Sequence, residues 1–225
     1  MTTVMISYLH RNTVSHSFME SLMSLTAHDR SGPNLVRYVF PVYSGPVHLP
    51  ESRNAMAQVF LNESDAEWLW IVDSDMGFEQ STLQRLLHTA DPVERPVMAG
   101  LYLAAEQVSS DGMGGWHIVP YPVVYEWRED DDGVEGFVRL PELPKDAVVR
   151  VAGAGTGCML IHRSVLEKVR ASGEDWFDQV RYANGQIVSE DLSFCSRLRR
   201  EGIPLHVDTR VRLSHHKSVW ITPEG

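Results

Sequence analysis

The sequence predicts a single α/β domain: a mostly parallel central sheet with helices on both faces, and a small antiparallel hairpin in the second half. Three observations carry this. Short β-branched or aromatic runs alternate with helix-spaced apolar residues through the first half of the chain, the pattern of βαβ units. One run, WLWIVD at 68–73, is apolar almost throughout, which suits a central strand covered on both faces. The 225 residues are 43% hydrophobic and 22% charged, an ordinary globular composition in which one large domain is expected over two small ones.

The elements follow in order. VMISYL (4–9) reads as the first strand. Val14, Phe18, Leu22 and Leu25 recur at near-helical spacing and predict a helix that Gly32-Pro33 ends. LVRYVFPV (35–42) is the second strand, SRNAMAQVFL (52–61) the second helix, and WLWIVD the third strand. Phe78, Leu83, Leu86 and Leu87 mark a third helix that stops before Asp91-Pro92, and PVMAGLYL (96–103) is a fourth strand. Residues 104–120 are rich in Gly, Ser and polar groups, which predicts a long mobile loop carrying substrate contacts, the expected lid. YPVVYEW and EGFVRL form a hairpin across the acidic turn REDDDG, whose cluster at 129–132 is expected to be solvated. From 148 a Gly-rich turn, a short apolar strand and a helix follow. SEDLSFCSRLRREG (189–202) reads as the last helix: Ser189 suits the N-cap, acids fill the first turn, basic residues the last, and Gly202 stops it. LHVD (205–208) is a final short strand.

Composition excludes several classes of function. The net charge of -10 disfavours a charge-driven hold on nucleic acid or anionic lipid, although Arg181, Arg197, Arg199, Arg200, Arg210 and Arg212 crowd the last third as a candidate positive patch. The two cysteines, Cys158 and Cys195, lack metal-ligand spacing and fit a reduced, cytoplasmic setting. No charged leader with a sustained apolar run opens the sequence, and no stretch has the roughly 20 apolar residues of a membrane span.

The sharpest chemical feature is Asp73-Ser74-Asp75 at the end of the most hydrophobic run. Strand ends of this kind open onto the ligand crevice of α/β sheets. Two carboxylates on one turn can hold a hard divalent ion together with substrate phosphates; the other reading is a turn whose aspartates satisfy backbone amides. Glu190-Asp191 opens the last helix, either as N-terminal charge for the helix dipole or as reactive carboxylates. His215-His216-Lys217 supplies imidazoles that can complete a metal site and an ammonium that can neutralise a phosphate, or else three polar side chains that simply face water. Gly153, Gly155 and Gly157 let the backbone approach a sugar closely, but GAGTG lacks the strand-then-helix setting of a dinucleotide fingerprint. A nucleotidyltransferase would also use an aspartate-bound metal, yet YLHRNTVSH has no Gly-rich basic phosphate loop.

In order and spacing, WLWIVDSDMGF, GLY, GTGCMLI, SEDLSFCSRLRREG and a C-terminal histidine resemble the compact GT-A glycosyltransferases of the family 2 type. The resemblance covers roughly residues 35–217 and is nearest to small bacterial and phage-encoded members, some thought to decorate hydroxymethylated pyrimidines in DNA. It implies one GT-A domain over 1–225, with a nucleotide-sugar-binding half (1–103) and an acceptor-binding, catalytic half (104–225). It implies Asp75 as the main ligand of Mn²⁺ or Mg²⁺, Asp73 as a ribose or metal contact, and His215 as the C-terminal metal histidine, with His216 competing for that role. Asp191 resembles the general base of inverting members, and Glu190 its orienting or acceptor-binding neighbour. Arg53-Asn54 resembles the pair that opens the second helix in many members, a nucleotide contact or a plain helix start. Tyr8 corresponds to the first-strand terminus that stacks on the base, and Trp176 and Phe177 to an aromatic platform for sugar or acceptor, with core packing the alternative for each. One departure stands out: after GLYL the chain offers Glu106 and Gln107 where relatives carry a basic residue. The implied activity is metal-dependent transfer from a nucleotide-sugar, UDP-linked by expectation, to a hydroxyl. The acceptor is hydroxymethylpyrimidine DNA, or alternatively a glycan or protein; a non-catalytic nucleotide-sugar-binding module is the reading from another class.

Overall fold

The structure, a computed structural model, describes residues 2–44, 48–109, 116–129, 135–181 and 187–217. The chain enters through β1 (Val4–His10), crosses helix α1 (His16–Ser31) to β2 (Val36–Tyr43), and returns over α2 (Leu49–Glu63) to β3 (Trp68–Val72). The two-residue β4 (Met76–Gly77) and α3 (Thr82–Thr89) lead to β5 (Val97–Leu101). Four strands follow: β6 (Leu103–Ser109), β7 (Trp116–Pro122), β8 (Val124–Glu129) and β9 (Glu135–Arg139). The remainder holds β10 (Val148–Val151), β11 (Gly153–Ala154), β12 (Cys158–His162), α4 (Arg163–Ala171), the short β13 (Val180–Arg181) and β14 (Ile187–Val188), α5 (Glu190–Arg200), β15 (Leu205–Arg212) and β16 (Ser214–His215).

A seven-stranded sheet in the order β10-β15-β5-β12-β3-β1-β2 forms the middle layer. Strands β2, β1, β3, β5 and β15 run one way, and β12 and β10 run against them. Every residue of β3 is buried, and the pleat sends alternate side chains to opposite faces. Leu69 and Ile71 pack with Met56 and Phe60 of α2, Val165 and Leu166 of α4, and Phe194 and Leu198 of α5. Trp68, Trp70 and Val72 pack with Phe18, Leu22 and Leu25 of α1 and Leu83 and Leu86 of α3. Each such side chain contributes about 1.5–3 kcal/mol when withdrawn from water, so the near-continuous apolar run of β3 anchors both layers at once.

Helix limits follow local chemistry. Ser15 caps α1 by accepting from the Phe18 amide at 3.1 Å. Gly202 takes φ +68° just past the end of α5, the left-handed geometry that glycine adopts without penalty. Helix α2 starts at Leu49, earlier than the 52–61 read from the sequence, because Pro50 sits in the first turn with its backbone angle preset. Arg53 and Asn54 therefore lie inside the helix rather than at its opening.

Three expectations are corrected. The segment 104–120 is no single loop: β6 and β7 pair antiparallel from Leu103↔Pro122 to Ser109↔Trp116, with 110–115 outside the described residues. Its polar composition suits a ribbon with water on both sides as well as it suits a loop. The predicted fourth strand breaks at Tyr102, where the chain leaves the main sheet for this ribbon. The final strand runs on to Arg212, beyond the 205–208 expected. The hairpin of β8 and β9 forms as read; Glu129 is exposed at its end, and 130–132 of the acidic cluster lie outside the described residues.

From β1 the chain steps to β2 on one side and then to β3 on the other, so α1 and α2 depart on opposite faces. A crevice opens beyond the carboxyl ends of β1 and β3, where doubly wound sheets place their ligands.

Candidate functional site

That crevice has a volume of 580 Å³, within the range of small-molecule sites. Leu9, His10 and Arg11 line it from the end of β1, Arg53 from α2, Asp73, Ser74 and Asp75 from the turn after β3, and His216 and Lys217 from the C-terminal segment. Backbone bonds hold the aspartate turn from all sides. The Asp73 amide donates to Gly157 O at 3.0 Å, the Met76 amide to Asp73 O at 3.1 Å, the Ser15 amide to Ser74 O at 2.9 Å and the His216 amide to Asp75 O at 2.8 Å. Antiparallel pairing of β16 with β4 sets His215 opposite Met76. The two aspartates and the C-terminal histidines, far apart in sequence, thus share one rigid frame.

Within it, His215 Nε2 lies 3.1 Å from Asp75 Oδ2, and Lys217 Nζ lies 3.2 Å from the same oxygen. His215 Nδ1 is 2.8 Å from Leu103 O; a carbonyl only accepts, so Nδ1 carries a proton. In the neutral ring Nε2 is then a lone pair facing a carboxylate oxygen, and two acceptors at this distance require a cation or proton between them. Burial pushes the Asp75 carboxyl up, but the His215 hydrogen bond and the charges of His215 and Lys217 outweigh it and hold the group below its ordinary range. His216 contributes its backbone amide to this frame, and its exposed ring lines the crevice. The ring that meets Asp75 is that of His215.

A second cluster centres on Arg53, only 3% exposed. Its Nη2 donates to Asp73 Oδ1 at 3.1 Å, and its Nε lies 3.5 Å from Glu190 Oε1 and 3.7 Å from Asp191 Oδ1. Burial works against the charge, yet Asp73, Asp191 and Glu190 together raise the guanidinium pKa above its ordinary value. Nε and Nη1 are buried without a hydrogen-bond partner, an uncommon state for so polar a group. Asp191, 22% exposed, accepts from the Thr156 hydroxyl. Burial is the main cause that pushes the Asp191 carboxyl up to about 6; Arg53 opposes the rise, Glu190 adds to it, and the Thr156 bond opposes it. Glu190 lines an adjoining crevice of 460 Å³ with Glu51, Asp178, Gln179 and His48, and this crevice shares Arg11, Ser44 and Leu49 with the first.

The structure therefore brings Arg53, Asp73, Asp75, Glu190, Asp191, His215 and Lys217 around two adjoining crevices at one sheet edge. It does not do so for the aromatic candidates. Trp176 and Phe177 are 4% and 1% exposed: the indole donates to Leu166 O at 2.7 Å and Phe177 stacks on Phe194 with centroids 4.8 Å apart. Both are core, and the platform reading is corrected. Tyr8 packs against Phe18 at 4.9 Å and is not among the residues lining the crevice, where Leu9, His10 and Arg11 stand instead. Gly155 does provide close approach, but to Tyr102: a Cβ there would sit 2.0 Å from the Tyr102 hydroxyl oxygen. The arginine patch also dissolves. Arg197 and Arg200 pair with Glu174, Arg210 with Asp208 and Arg212 with Asp146, so four of the six charges have carboxylate partners.

Tyr102 and Thr156 escaped the sequence reading, and Asn54 has a role it did not assign. Tyr102 is 7% exposed; its hydroxyl accepts from the Gly157 amide at 3.3 Å and its ring meets His215 edge-on at 5.4 Å. Burial, reinforced by Asp191 and Asp73, pushes its pKa well above the ordinary value, so it is a neutral phenol. Thr156, fully buried, holds Asp191. Asn54 clamps the Phe177 backbone with both ends of its amide, donating to Phe177 O at 2.8 Å and accepting from Phe177 N at 2.9 Å. Strand and loop patterns carry no signal for such contacts; the glycines around Thr156 were the one available hint.

Among the described residues no group of three or more His, Cys, Asp or Glu is assembled as a metal cage. The pair Asp75 and His215 nonetheless fits a divalent ion that draws its other ligands from water and phosphates. The 3.1 Å between their donor atoms matches the roughly 3 Å separating adjacent ligands in an octahedron with bonds of about 2.1 Å. The Nδ1 bond to a backbone carbonyl is the support that metal-binding imidazoles usually have.

No protein-family model and no curated protein sequence matches the chain. Solved structures do match in fold. The crystal structure of GalNAc-T7 with UDP, GalNAc and Mn²⁺ aligns with a TM-score of 0.55 at 14% identity over 95% of this chain and 44% of the other, so this chain spans under half of that protein. The crystal structure of A197 from STIV aligns with a TM-score of 0.54 at 16% identity over 96% of this chain and 87% of the other. The likeness is one of architecture: a mixed, mostly parallel sheet flanked by helices, arranged as in a GT-A-like fold. No helix among the described residues is long and apolar enough to cross a membrane.

Proposed function

We propose that the chain is a divalent-metal-dependent glycosyltransferase that moves a sugar from a nucleotide-sugar, UDP-linked, to an acceptor hydroxyl. The observation that carries the proposal is the convergence, at the switch point of the sheet, of the Asp75–His215 pair with the Arg53–Asp73–Asp191 cluster. The fold match to a protein whose structure contains UDP, GalNAc and Mn²⁺ supports it. A pure binding module has no use for a largely buried carboxylate pushed up to about 6 beside Arg53 and Thr156, which favours an enzyme over that alternative.

In this reading Asp75 and His215 hold Mn²⁺ or Mg²⁺, and the ion's chemistry is to neutralise the diphosphate that departs. Lys217, about half exposed on the crevice, supplies further positive charge to the nucleotide. Asp73 is fixed by Arg53 and contacts the ribose. Asp191 takes the proton from the acceptor hydroxyl as its oxygen bonds to the anomeric carbon and the bond to the diphosphate oxygen breaks, the electron pair leaving with the diphosphate. A carboxylate titrating near 6 is ionised at neutral pH yet basic enough for this task. Thr156 and Arg53 orient it, and Glu190 faces the acceptor in the adjoining crevice. The donor half, 1–103, is completed by His215 and Lys217 from the other end of the chain.

For the acceptor, the lining of the second crevice favours a neutral, hydroxylated molecule of the glycan class over DNA. Glu51, Asp178 and Glu190 face it, and the arginines that would have held a polyanion are largely paired. Incubation with UDP-sugars, Mn²⁺ and parallel sets of glycan and hydroxymethylated-DNA acceptors tests this. Release of UDP that depends on a glycan acceptor and disappears in Asp191→Asn is expected; transfer to DNA alone would overturn the acceptor assignment, and no turnover with any sugar would overturn the enzyme reading.

A further inference from the structure

Lys217, assigned above to the nucleotide, is paired with Asp75 in the free protein. Its ammonium is 3.2 Å from Asp75 Oδ2, the same oxygen that His215 Nε2 approaches to 3.1 Å. The other oxygen of Asp75 receives neither. Lys217 reaches this point from the segment fixed by the β16–β4 pairing and by the His216 amide on Asp75 O, while about half of its side chain remains exposed on the crevice. A compact cation on a flexible stem thus sits on the one carboxylate oxygen that also faces His215 Nε2.

We infer that Lys217 is a resident counter-cation for Asp75 that must yield this oxygen when a divalent ion binds, and that the diphosphate of the nucleotide, by giving the ammonium a new partner, makes metal and nucleotide binding mutually dependent. This inference rests on the reading of Asp75 and His215 as metal ligands.

An ammonium and a divalent ion cannot both lie within bonding distance of one carboxylate oxygen without strong like-charge repulsion. In the free protein the ammonium offsets the Asp75 charge, and an ion arriving alone must displace it into water. With a nucleoside diphosphate present, the displaced ammonium moves to a phosphate oxygen within the same crevice, so the exchange no longer leaves it without a counter-charge. Arg53 cannot play this part because it is buried and committed to Asp73. Metal and nucleotide then raise one another's affinity by the same factor, as linkage requires. The consequence is a site that stays closed to free divalent ions and accepts them with the donor.

The test is Mn²⁺ titration of the full chain by electron paramagnetic resonance, with and without UDP, for the parent, Lys217→Met, Lys217→Arg and Asp75→Ala. The parent is expected to bind Mn²⁺ about tenfold or more tightly with UDP than without, a coupling of ordinary size. Lys217→Met should bind free Mn²⁺ several-fold more tightly than the parent and show a smaller gain from UDP, the remainder being what phosphate ligation supplies, while Lys217→Arg keeps the parent's coupling. Unchanged free-Mn²⁺ affinity and unchanged UDP coupling in Lys217→Met, with binding abolished in Asp75→Ala, would overturn the counter-cation role and leave the metal site standing. Parent-like Mn²⁺ binding by Asp75→Ala would overturn the metal site itself.

Discussion

His215 presents Nε2 to Asp75 Oδ2 at 3.1 Å while its Nδ1 proton is committed to the Leu103 carbonyl at 2.8 Å. One ring is thereby oriented by a strand end on one side and aimed at a carboxylate on the other. If a divalent ion is what the pair receives, His215→Ala removes a nitrogen ligand and the edge contact with Tyr102 together. Mn²⁺ affinity in the presence of UDP should fall by about 10–100-fold, whereas His216→Ala should change it little, because His216 meets Asp75 through its backbone. Calorimetric titration of the two variants decides between the histidines.

Asp191 gives a prediction with a definite sign. Burial raises its carboxyl from 3.8 to about 6, so the fold prefers the protonated form. The stability this group contributes is fully present below about pH 4 and is lost as pH rises through about 6. Asp191→Asn should therefore melt several degrees above the parent at pH 7.5, with the difference vanishing near pH 4. Transfer should fall by about 10²–10⁴-fold while UDP binding persists. In the parent, kcat should climb as pH passes through about 6. A variant less stable than the parent at pH 7.5 would contradict the assigned burial.

Asn54 holds the Phe177 backbone with both ends of one amide, tying α2 to the segment that leads into α5. Asn54→Ala leaves two buried backbone groups without partners. The expected cost is about 2–3 kcal/mol in urea unfolding, with transfer reduced because the Glu190–Asp191 turn loses its support. A loss under about 0.5 kcal/mol would show that the clamp is dispensable.

Gly155 and Tyr102 form a tight pair. A methyl group at 155 would meet the Tyr102 hydroxyl oxygen at 2.0 Å and Val123 at 2.8 Å. Gly155→Ala should cost about 1–3 kcal/mol, and Tyr102→Phe introduced beside it should recover part of that loss. Simple additivity in the double-mutant cycle would contradict the contact.

Much of this molecule was legible in its residues, for reasons specific to each part. The apolar run of β3, the Ser15 cap and Gly202 act locally, so their consequences appear where the sequence places them. The DSD turn was legible because a polar pair after a buried strand must emerge at the sheet edge. Contacts between distant segments were not. Trp176 and Phe177 look the same in sequence whether they face a ligand or, as here, a core built from α4 and α5. Tyr102 reads as one more strand residue, yet it fills the space that Gly155 and Gly157 leave. Pro50 moved the start of α2 and with it the burial of Arg53. The choice between His215 and His216 depended on a two-residue strand pairing that no periodicity announces.

The central claim is that Asp75 and His215 make nucleotide binding depend on a divalent ion. Thermal unfolding of the parent and Asp75→Ala, each with UDP in Mn²⁺ or in chelator, tests it most directly, since a ligand that binds only the folded state raises its melting temperature. The account predicts a rise for the parent with UDP and Mn²⁺ together, little with UDP in chelator, and none for Asp75→Ala. An equal rise for parent and variant, or one indifferent to chelator, would contradict it.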